Sequence, residues 1–275
     1  MSRVKLSVGV WDALSARLAE RAGFELLFLS GFAVAGTKLG EPDFGLLTQT
    51  EMLDTARRVV AAVRVPVIVD GDTGHGGPLN VQRLVRELIG MGAAGMLLED
   101  QVWPKRCGHM RDKQVIPAEE HAQKLRAAVD ARGAASFTIL GRTDARAPLG
   151  LDEAIRRGKL YRRAGADWIF VEAPQSRDEL ARIGREVPGP LMANMVEGGA
   201  TPILPLDELR ALGFEYVVYP LTGLLTAARA LERAFRELVA KGTSRNDLES
   251  RMGFDEFTEL VGLPDKYAAA DRYKA

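Results

Sequence analysis

Short apolar runs of three to six residues alternate along this chain with longer stretches in which apolar positions recur every three or four residues. The short runs have the length of buried strands, the long stretches that of amphipathic helices. Four times a helical stretch ends at glycine and a strand-like run follows. The copies are Ala22-Gly23 before residues 24–29, Met91-Gly92 before 95–98, Ala164-Gly165 before 168–171, and Leu212-Gly213 before 216–219. Glycine just past a helix end supplies the left-handed residue that caps it. Further runs at 6–10, 67–69, 137–140 and 190–192 bring the candidate strands to eight. Six intervals separate Gly23 from Gly213 at about 32 residues each, the size of a strand with its crossover helix. Eight such units predict an α/β chain closed as a parallel (β/α)8 TIM barrel, with an open doubly wound sheet as the competing architecture.

After residue 219 the alternation stops. A long helix is predicted over 221–240, a polar break over 241–246 and shorter helical pieces over 253–275. The expected organisation is a barrel over residues 1–242 and a C-terminal helical extension over 243–275, packed on the barrel or on a neighbouring subunit. No Pro/Ser/Gly-rich linker marks a second catalytic domain.

Composition narrows the partners. The 275 residues include 37 Lys+Arg against 37 Asp+Glu and are 47% hydrophobic, which excludes a disordered chain and a basic nucleic-acid arm. No apolar run approaches the roughly 20 residues of a membrane span. The start of the chain lacks a basic stretch followed by an apolar one, so a cytoplasmic protein with neither nucleic-acid nor membrane partners is expected. The single cysteine excludes a disulfide framework, and His75, His109 and His121 show no zinc-ligand spacing.

Candidate chemistry sits where each apolar run ends, the place where barrel enzymes keep their active sites. The runs are followed by Ser30-Gly31, Asp70-Gly71-Asp72, Glu99-Asp100, Arg142 with Asp144, Glu172 and Asn194. Asp70, Asp72 and Glu99 on adjacent strand ends would repel one another without a cation, and an oxygen-only set suits Mg2+, with Mn2+ as an allowed substitute. The structural alternative is that Asp70 and Asp72 cap the following turn. The glycine-rich loop 71–78 matches neither a P-loop nor a dinucleotide fingerprint. Residues 100–117 are long for a barrel loop and hold Lys105-Arg106-Cys107-Gly108-His109, a candidate lid. The flanking cations and imidazole would favour a thiolate or a mobile thiol proton. Arg142 has the fork to hold a substrate carboxylate, with Glu172 and Asn194 orienting it or the substrate; a buried ion pair across the barrel mouth is the alternative. Trp11, Trp103 and Trp168 are expected to be packing residues.

In combination, Ser30-Gly31, Pro42-Asp43-Phe44-Gly45, VDGDTG over 69–74, Glu99-Asp100-Gln101, KRCGH over 105–109, Arg142-Thr143-Asp144-Ala145, Val171-Glu172-Ala173, Ala193-Asn194-Met195 and Glu197-Gly198-Gly199 resemble the isocitrate lyase/phosphoenolpyruvate mutase superfamily over nearly the whole chain. The resemblance implies a homotetramer of (β/α)8 barrels that swap their last helix. It implies Mg2+ bound directly by Asp70, with Asp43, Asp72 and Glu99 reaching it through water. Ser30, Gly31, Phe32, Gly108, Glu172, Asn194 and Pro220 would surround a small di- or tricarboxylate, and Cys107, Arg142, Lys105 and His109 would act on it. The lyase branch cleaves a 2-hydroxy dicarboxylate, of 2-alkylmalate, dimethylmalate or methylisocitrate type, to a 2-oxo acid and a second carboxylic acid. A phosphonomutase forming a carbon–phosphorus bond shares the KRCGH lid, and a non-catalytic ligand-binding barrel is the remaining reading. Phe28 stands where methylisocitrate-cleaving members have Tyr, Pro220 where oxaloacetate-hydrolysing members have Ser, and Gly141 where relatives have Ala. The chain also begins almost at its first strand, without the N-terminal helix of many members.

Overall fold

A computed structural model describes residues 4–245 and 251–274. Its strands are β1 (Lys5–Val10), β2 (Leu27–Leu29), β3 (Val67–Asp70), β4 (Gly95–Glu99), β5 (Thr138–Thr143), β6 (Trp168–Val171), β7 (Leu191–Asn194) and β8 (Tyr216–Tyr219). They pair in parallel and in sequence order, and β1 also pairs with β8, so the sheet closes into the expected barrel. Between the strands run α1 (Ala13–Arg21), α2 (Gly31–Val34) with a π-helical turn at Ala35–Leu39, α3 (Gln49–Ala62), α4 (Pro78–Gly90), α5 (Ala118–Arg132), α6 (Arg146–Leu149), α7 (Leu151–Arg163), α8 (Arg177–Glu186) and α9 (Leu206–Ala211).

All four joint glycines are left-handed, with φ of 96° at Gly23, 86° at Gly92, 104° at Gly165 and 96° at Gly213. Each closes a Schellman motif. At Gly23 its own N–H reaches the Glu20 carbonyl and the Phe24 N–H the Ala19 carbonyl. Phe24 is thus committed to the helix cap, which is why the run predicted over 24–29 pairs as a strand only from Leu27. Helix starts are equally local: Asp12 caps α1, Thr48 and Glu51 form a capping box on α3, and Ser176 caps α8.

Side chains alternate across a strand, and here the two phases form two cores. Leu27, Leu29, Val67, Val69, Met96, Leu98, Ile169 and Val217 point outward to the helices. Phe28, Ile68, Leu97, Leu140, Phe170, Met192, Tyr216 and Val218 fill the barrel interior. At β1 the interior phase falls on Gly9, where an added Cβ would meet the Pro220 carbonyl oxygen at 1.9 Å, so the chain after β8 packs directly on strand backbone.

The described residues fall into two compact units, one ending at Gly223 and one beginning at Leu224. Helix α10 (Thr222–Lys241) continues into the second unit, which also holds α11 (Phe254–Leu260) and α12 (Leu263–Asp271). On α10, Leu231, Phe235 and Leu238 recur at helical spacing and are exposed. Residues 246–250 and 275 of the predicted extension, and 1–3 of the predicted barrel, lie outside the described residues. No described helix is long and apolar enough to cross a membrane.

Candidate active site

The interior phase carries the chemistry. Two residues beyond Phe28, Ile68, Leu97, Leu140, Phe170, Met192 and Val218 stand Ser30, Asp70, Glu99, Arg142, Glu172, Asn194 and Pro220. A side-chain period of two directs all seven toward the barrel axis, one layer above the interior core. Strands β3, β5 and β7 extend further than their apolar runs, so Asp70, Arg142 and Asn194 lie within paired backbone. Asp43, Lys105, Cys107, Gly108 and His109 from loops, and Phe32 from α2, join them around one cleft. Gly31, Asp72 and Glu99 complete the set by direct contact with its lining: the Gly31 N–H donates to Asp70 Oδ2 (3.2 Å), Asp72 pairs with Lys105, and Glu99 with Arg142.

On the β2–β4 side, the Lys105 ammonium lies 2.6 Å from Asp43 Oδ1 and 2.7 Å from Asp72 Oδ1. Asp70 Oδ1 accepts the Asp72 N–H at 3.1 Å, so the two carboxylates are spaced by backbone as well as by charge. Burial, with Asp70 and Asp43 nearby, pushes the Asp72 carboxyl up to about 7 despite Lys105. Burial and Asp144 likewise raise Glu99, whose Oε1 has no hydrogen-bond partner among the described residues. Six buried carboxylates, Asp43, Asp70, Asp72, Glu99, Asp144 and Glu172, face three buried permanent cations, Lys105, Lys113 and Arg142. That imbalance and the oxygen-only donor set fit a divalent hard cation. Among the described residues no three acidic, imidazole or thiol groups are arranged to hold a metal between them, and Mg2+ characteristically needs only one or two carboxylates with water completing its shell.

On the opposite side Arg142 is caged. Its Nε and Nη2 donate to Asp144 at 2.7 and 3.0 Å, Nη2 lies 3.1 Å from Glu172 Oε2, and Nη1 lies 3.3 Å from Glu99 Oε2. Both readings of Arg142 therefore coexist: a buried ion-pair cluster that also lines the cleft. Burial alone would raise Glu172, but Arg142 and His109 overcome it and hold the carboxyl near about 2. Asn194 Nδ2 donates to Glu172 Oε2 at 3.3 Å, leaving its buried Oδ1 without a partner among the described residues.

The segment from Asp100 to the start of α5 folds over the cleft. Its base is tied by the Gln101–Val115 bridge, and the Gln101 side chain grips the Arg106 backbone at both N–H and carbonyl. The Cys107 N–H donates to the Asp43 carbonyl at 3.1 Å, and His109 Nδ1 accepts the Ala200 N–H at 3.0 Å with Nε2 lying 3.3 Å from Glu172. The lid is shut, and the cavity beneath it measures about 40 Å³, room for only a few waters. A groove of about 610 Å³ at the N-terminal strand end, beside Lys5, Glu25 and Arg210, carries none of this chemistry.

Of the two expected states of Cys107, a thiolate or a mobile thiol proton, the surroundings favour the second. Lys105 turns to Asp43 and Asp72, and Arg106 lies over the Phe44 ring, so neither cation serves the sulfur. Burial, aided by Asp43 and Glu172, pushes the thiol up to about 11. Cys107 is thus a protonated group, suited to giving a proton. Trp103 is a second departure, being 44% exposed rather than packed.

Gly108 is where the lid touches the cage. A Cβ there would meet Glu172 Oε2 at 2.4 Å and Arg142 Nη2 at 2.5 Å, and both groups are held by ion pairs. Gly108→Ala is expected to hold the lid off the cleft and lower turnover about 10²-fold, the effect of roughly 1 Å of misplacement, with an unchanged melting temperature. Full turnover in that variant would show that the lid need not seat on Arg142.

Three contributors were given no role from the chain alone, although Asp100 and Asp144 were noted there as strand-end residues. Asp144, two residues past Arg142, occupies the same interior phase, a signal that was legible. Asp100 points the other way and accepts from Thr143 Oγ1 (2.7 Å), Tyr161 OH (2.6 Å), Arg157 Nη1 (2.9 Å) and the Asp144 N–H (2.8 Å), bracing the end of β5. Lys113 reaches Asp144 across 31 residues of sequence, which no local pattern announces. Of the other histidines, His121 is buried against Tyr161 outside the cleft and His75 sits 5.7 Å from the Trp103 ring.

With this geometry in place, comparison with known proteins is specific. The profile of the family described as phosphoenolpyruvate phosphomutase matches residues 4–239. The chain is 52% identical over 270 residues to the petal death protein of Dianthus caryophyllus, covering 98% of this chain and 85% of that one. It is 49% identical to the chloroplastic carboxyvinyl-carboxyphosphonate phosphorylmutase of Arabidopsis thaliana (98% and 81% covered) and 43% identical to the 2,3-dimethylmalate lyase of Eubacterium barkeri (95% and 90% covered). Among solved structures, a 2,3-dimethylmalate lyase superposes with a TM-score of 0.93 at 33% identity, covering 98% and 90% of the two chains. A phosphonopyruvate hydrolase solved with oxalate and Mg2+ superposes at 0.89 and 30% identity, covering 98% and 94%. A closed barrel whose mouth gathers these side chains, matched end to end by these relatives, belongs to the isocitrate lyase/phosphoenolpyruvate mutase superfamily of enzymes.

Proposed function

We propose that the protein is a magnesium-dependent carbon–carbon lyase. Its substrate would be a 2-hydroxy dicarboxylate of 2-alkylmalate, dimethylmalate or methylisocitrate type, split to a 2-oxo acid such as pyruvate and a second carboxylic acid. The observation that carries this reading is the position of the Cys107 thiol in the same cleft as the Arg142–Glu172 cage, where burial raises its pKa and favours the protonated form. A carbon–carbon cleavage leaves an electron pair on the departing acid, and a buried proton donor is what that carbon requires.

In this reading Ser30, Gly31 and Phe32 hold the 2-hydroxy carboxylate end, and Arg142 neutralises charge there. His109, Glu172 and Asn194 meet the other carboxylate. The hydroxyl gives up its proton, the bond between C2 and C3 breaks, and its electron pair moves to C3, where the Cys107 thiol delivers a proton. The proton lost from oxygen passes to solvent and one returns from solvent to the Cys107 thiolate, so the overall reaction is balanced. Asp70 would hold Mg2+, with Asp72, Glu99 and Asp43 as outer partners, and the ion would supply Lewis-acid neutralisation of oxygen charge. Phe28, Phe32, Leu97, Val196, Pro220 and Leu221 give the cleft apolar walls suited to alkyl substituents.

A second reading, a phosphonomutase forming a carbon–phosphorus bond, is favoured by the Arabidopsis relative and the shared lid. The buried array of six carboxylates and three cations argues against a non-catalytic barrel, since such a cluster is costly to bury without use. We place the enzyme in the cytoplasm as a homotetramer; the exposed apolar stripe of α10 supports assembly through that helix.

The test is 2-oxo acid release, with and without Mg2+, from 2-methylisocitrate, 2-alkylmalates, 2,3-dimethylmalate and oxaloacetate, beside phosphonopyruvate. Metal-dependent cleavage of one hydroxy acid is expected, with oxaloacetate poor because Pro220 offers no hydroxyl. Turnover of phosphonopyruvate alone would replace the lyase reading with carbon–phosphorus chemistry.

A further inference from the structure

Two lid side chains already described, Lys105 and His109, pair with carboxylates outside the lid. A third is Lys113. Its side chain is 1% exposed, and its ammonium donates to Asp144 Oδ1 at 2.9 Å and to the carbonyl oxygen of Gly108. Both acceptors matter. Gly108 is the lid residue pressed against Arg142 and Glu172, one position from Cys107. Asp144 is the carboxylate that grips Arg142 through two hydrogen bonds, and its Oδ1 is shared between Arg142 Nη2 and Lys113.

A buried ammonium must place its protons on acceptors, and a buried carbonyl must find a donor. Gly108 and Lys113 both belong to the lid and Asp144 does not, so opening the lid would break either the Lys113–Asp144 ion pair or the Lys113–Gly108 hydrogen bond. The closed state is therefore specifically rewarded. The same cation offsets part of the charge on Asp144; without it Arg142 would face Asp144, Glu99 and Glu172 alone, with less attraction left for a substrate carboxylate.

We propose that Lys113 is a positioning residue that latches the lid: its ammonium pins the Gly108 carbonyl over the cleft while holding Asp144, so that lid closure and Arg142 alignment depend on one group. Its consequence for turnover rests on the lyase reading, but the latch can be measured without metal or substrate. Cys107 is the chain's only cysteine and sits in the lid, so its alkylation by iodoacetamide reports lid opening.

At one fixed pH, Lys113→Met is expected to accelerate alkylation of the folded protein roughly tenfold or more, and Lys113→Arg, which keeps charge and donors, to stay within about threefold of wild type. Removing a cation near the thiol raises its pKa and slows reaction, so acceleration can only come from exposure. A residue that merely neutralised Asp144 would change the melting temperature and leave alkylation alone. Alkylation of Lys113→Met at the wild-type rate overturns the latch, whatever happens to turnover. Acceleration in a protein that cleaves none of the hydroxy acids supports the latch and removes the lyase reading. If Lys113→Met fails to fold because Asp144 loses one of its two cations, Lys113→Met with Asp144→Asn removes the excess charge while Gly108 still lacks its donor. Fast alkylation is expected there too, and the wild-type rate in the double variant likewise overturns the proposal.

Discussion

Asp70→Asn is expected to abolish magnesium-stimulated turnover, lowering it by about three decades, while leaving the barrel folded. The magnitude follows from several kcal/mol of charge stabilisation at about 1.36 kcal/mol per decade. Asn is more informative than Ala here. The Asp70 carboxylate accepts the Gly31 N–H at 3.2 Å and the Asp72 N–H at 3.1 Å, so Ala would loosen two loops as well as remove a charge. Asn keeps one of the two acceptor oxygens, so it removes the charge and one of these hydrogen bonds rather than both. Calorimetric Mg2+ binding should be lost in step with turnover. An Asp70→Asn enzyme that still binds Mg2+ and turns over at the wild-type rate would remove Asp70 from the proposed metal site.

Cys107→Ser is expected to slow cleavage by about 10²–10⁴-fold, the usual worth of a positioned general acid, with oxalate still binding in the presence of Mg2+. A serine hydroxyl fills nearly the same space but is a far weaker acid, so the loss falls on kcat. The pH profile gives a second reading. A group that donates a proton works only below its pKa, and burial has moved this thiol up to about 11. Turnover of the native enzyme should therefore hold through mildly alkaline pH and fall only as pH approaches 11. An ordinary thiol, titrating near about 8.5, would already have lost most activity by about pH 9.5. Cleavage by Cys107→Ser at the native rate would exclude the thiol as the acid.

Much of this was legible along the chain because it is local. Strand after strand, the residue two past an interior apolar position is polar or charged, and a period of two fixes which way it points. The glycine at each helix end was readable because only a left-handed residue completes the cap, and all four proved left-handed. The lid was visible as a loop too long for its place. Its electrostatics were read wrongly. Lys105 and Arg106 flank Cys107 in sequence, yet one folds toward Asp43 and Asp72 and the other over Phe44. Adjacency along a loop does not constrain direction as it does in a strand.

Lys113, Asp100 and the sharing of Arg142 among three carboxylates show the other limit. Lys113 meets Asp144 from 31 residues away, and Asp100 braces that same residue from 44. Such pairs exist because closing the barrel brings the ends of β4, β5 and β6 within a side chain's length of one another. Backbone pairing and side-chain alternation thus determine which residues face the mouth, and they are written in short-range pattern. Which of those residues pair, which stay protonated and which remain unsatisfied depends on distances and burial that arise only when the barrel closes and the lid folds over it. Electrostatics between buried groups is set by that geometry, and no local spacing encodes it.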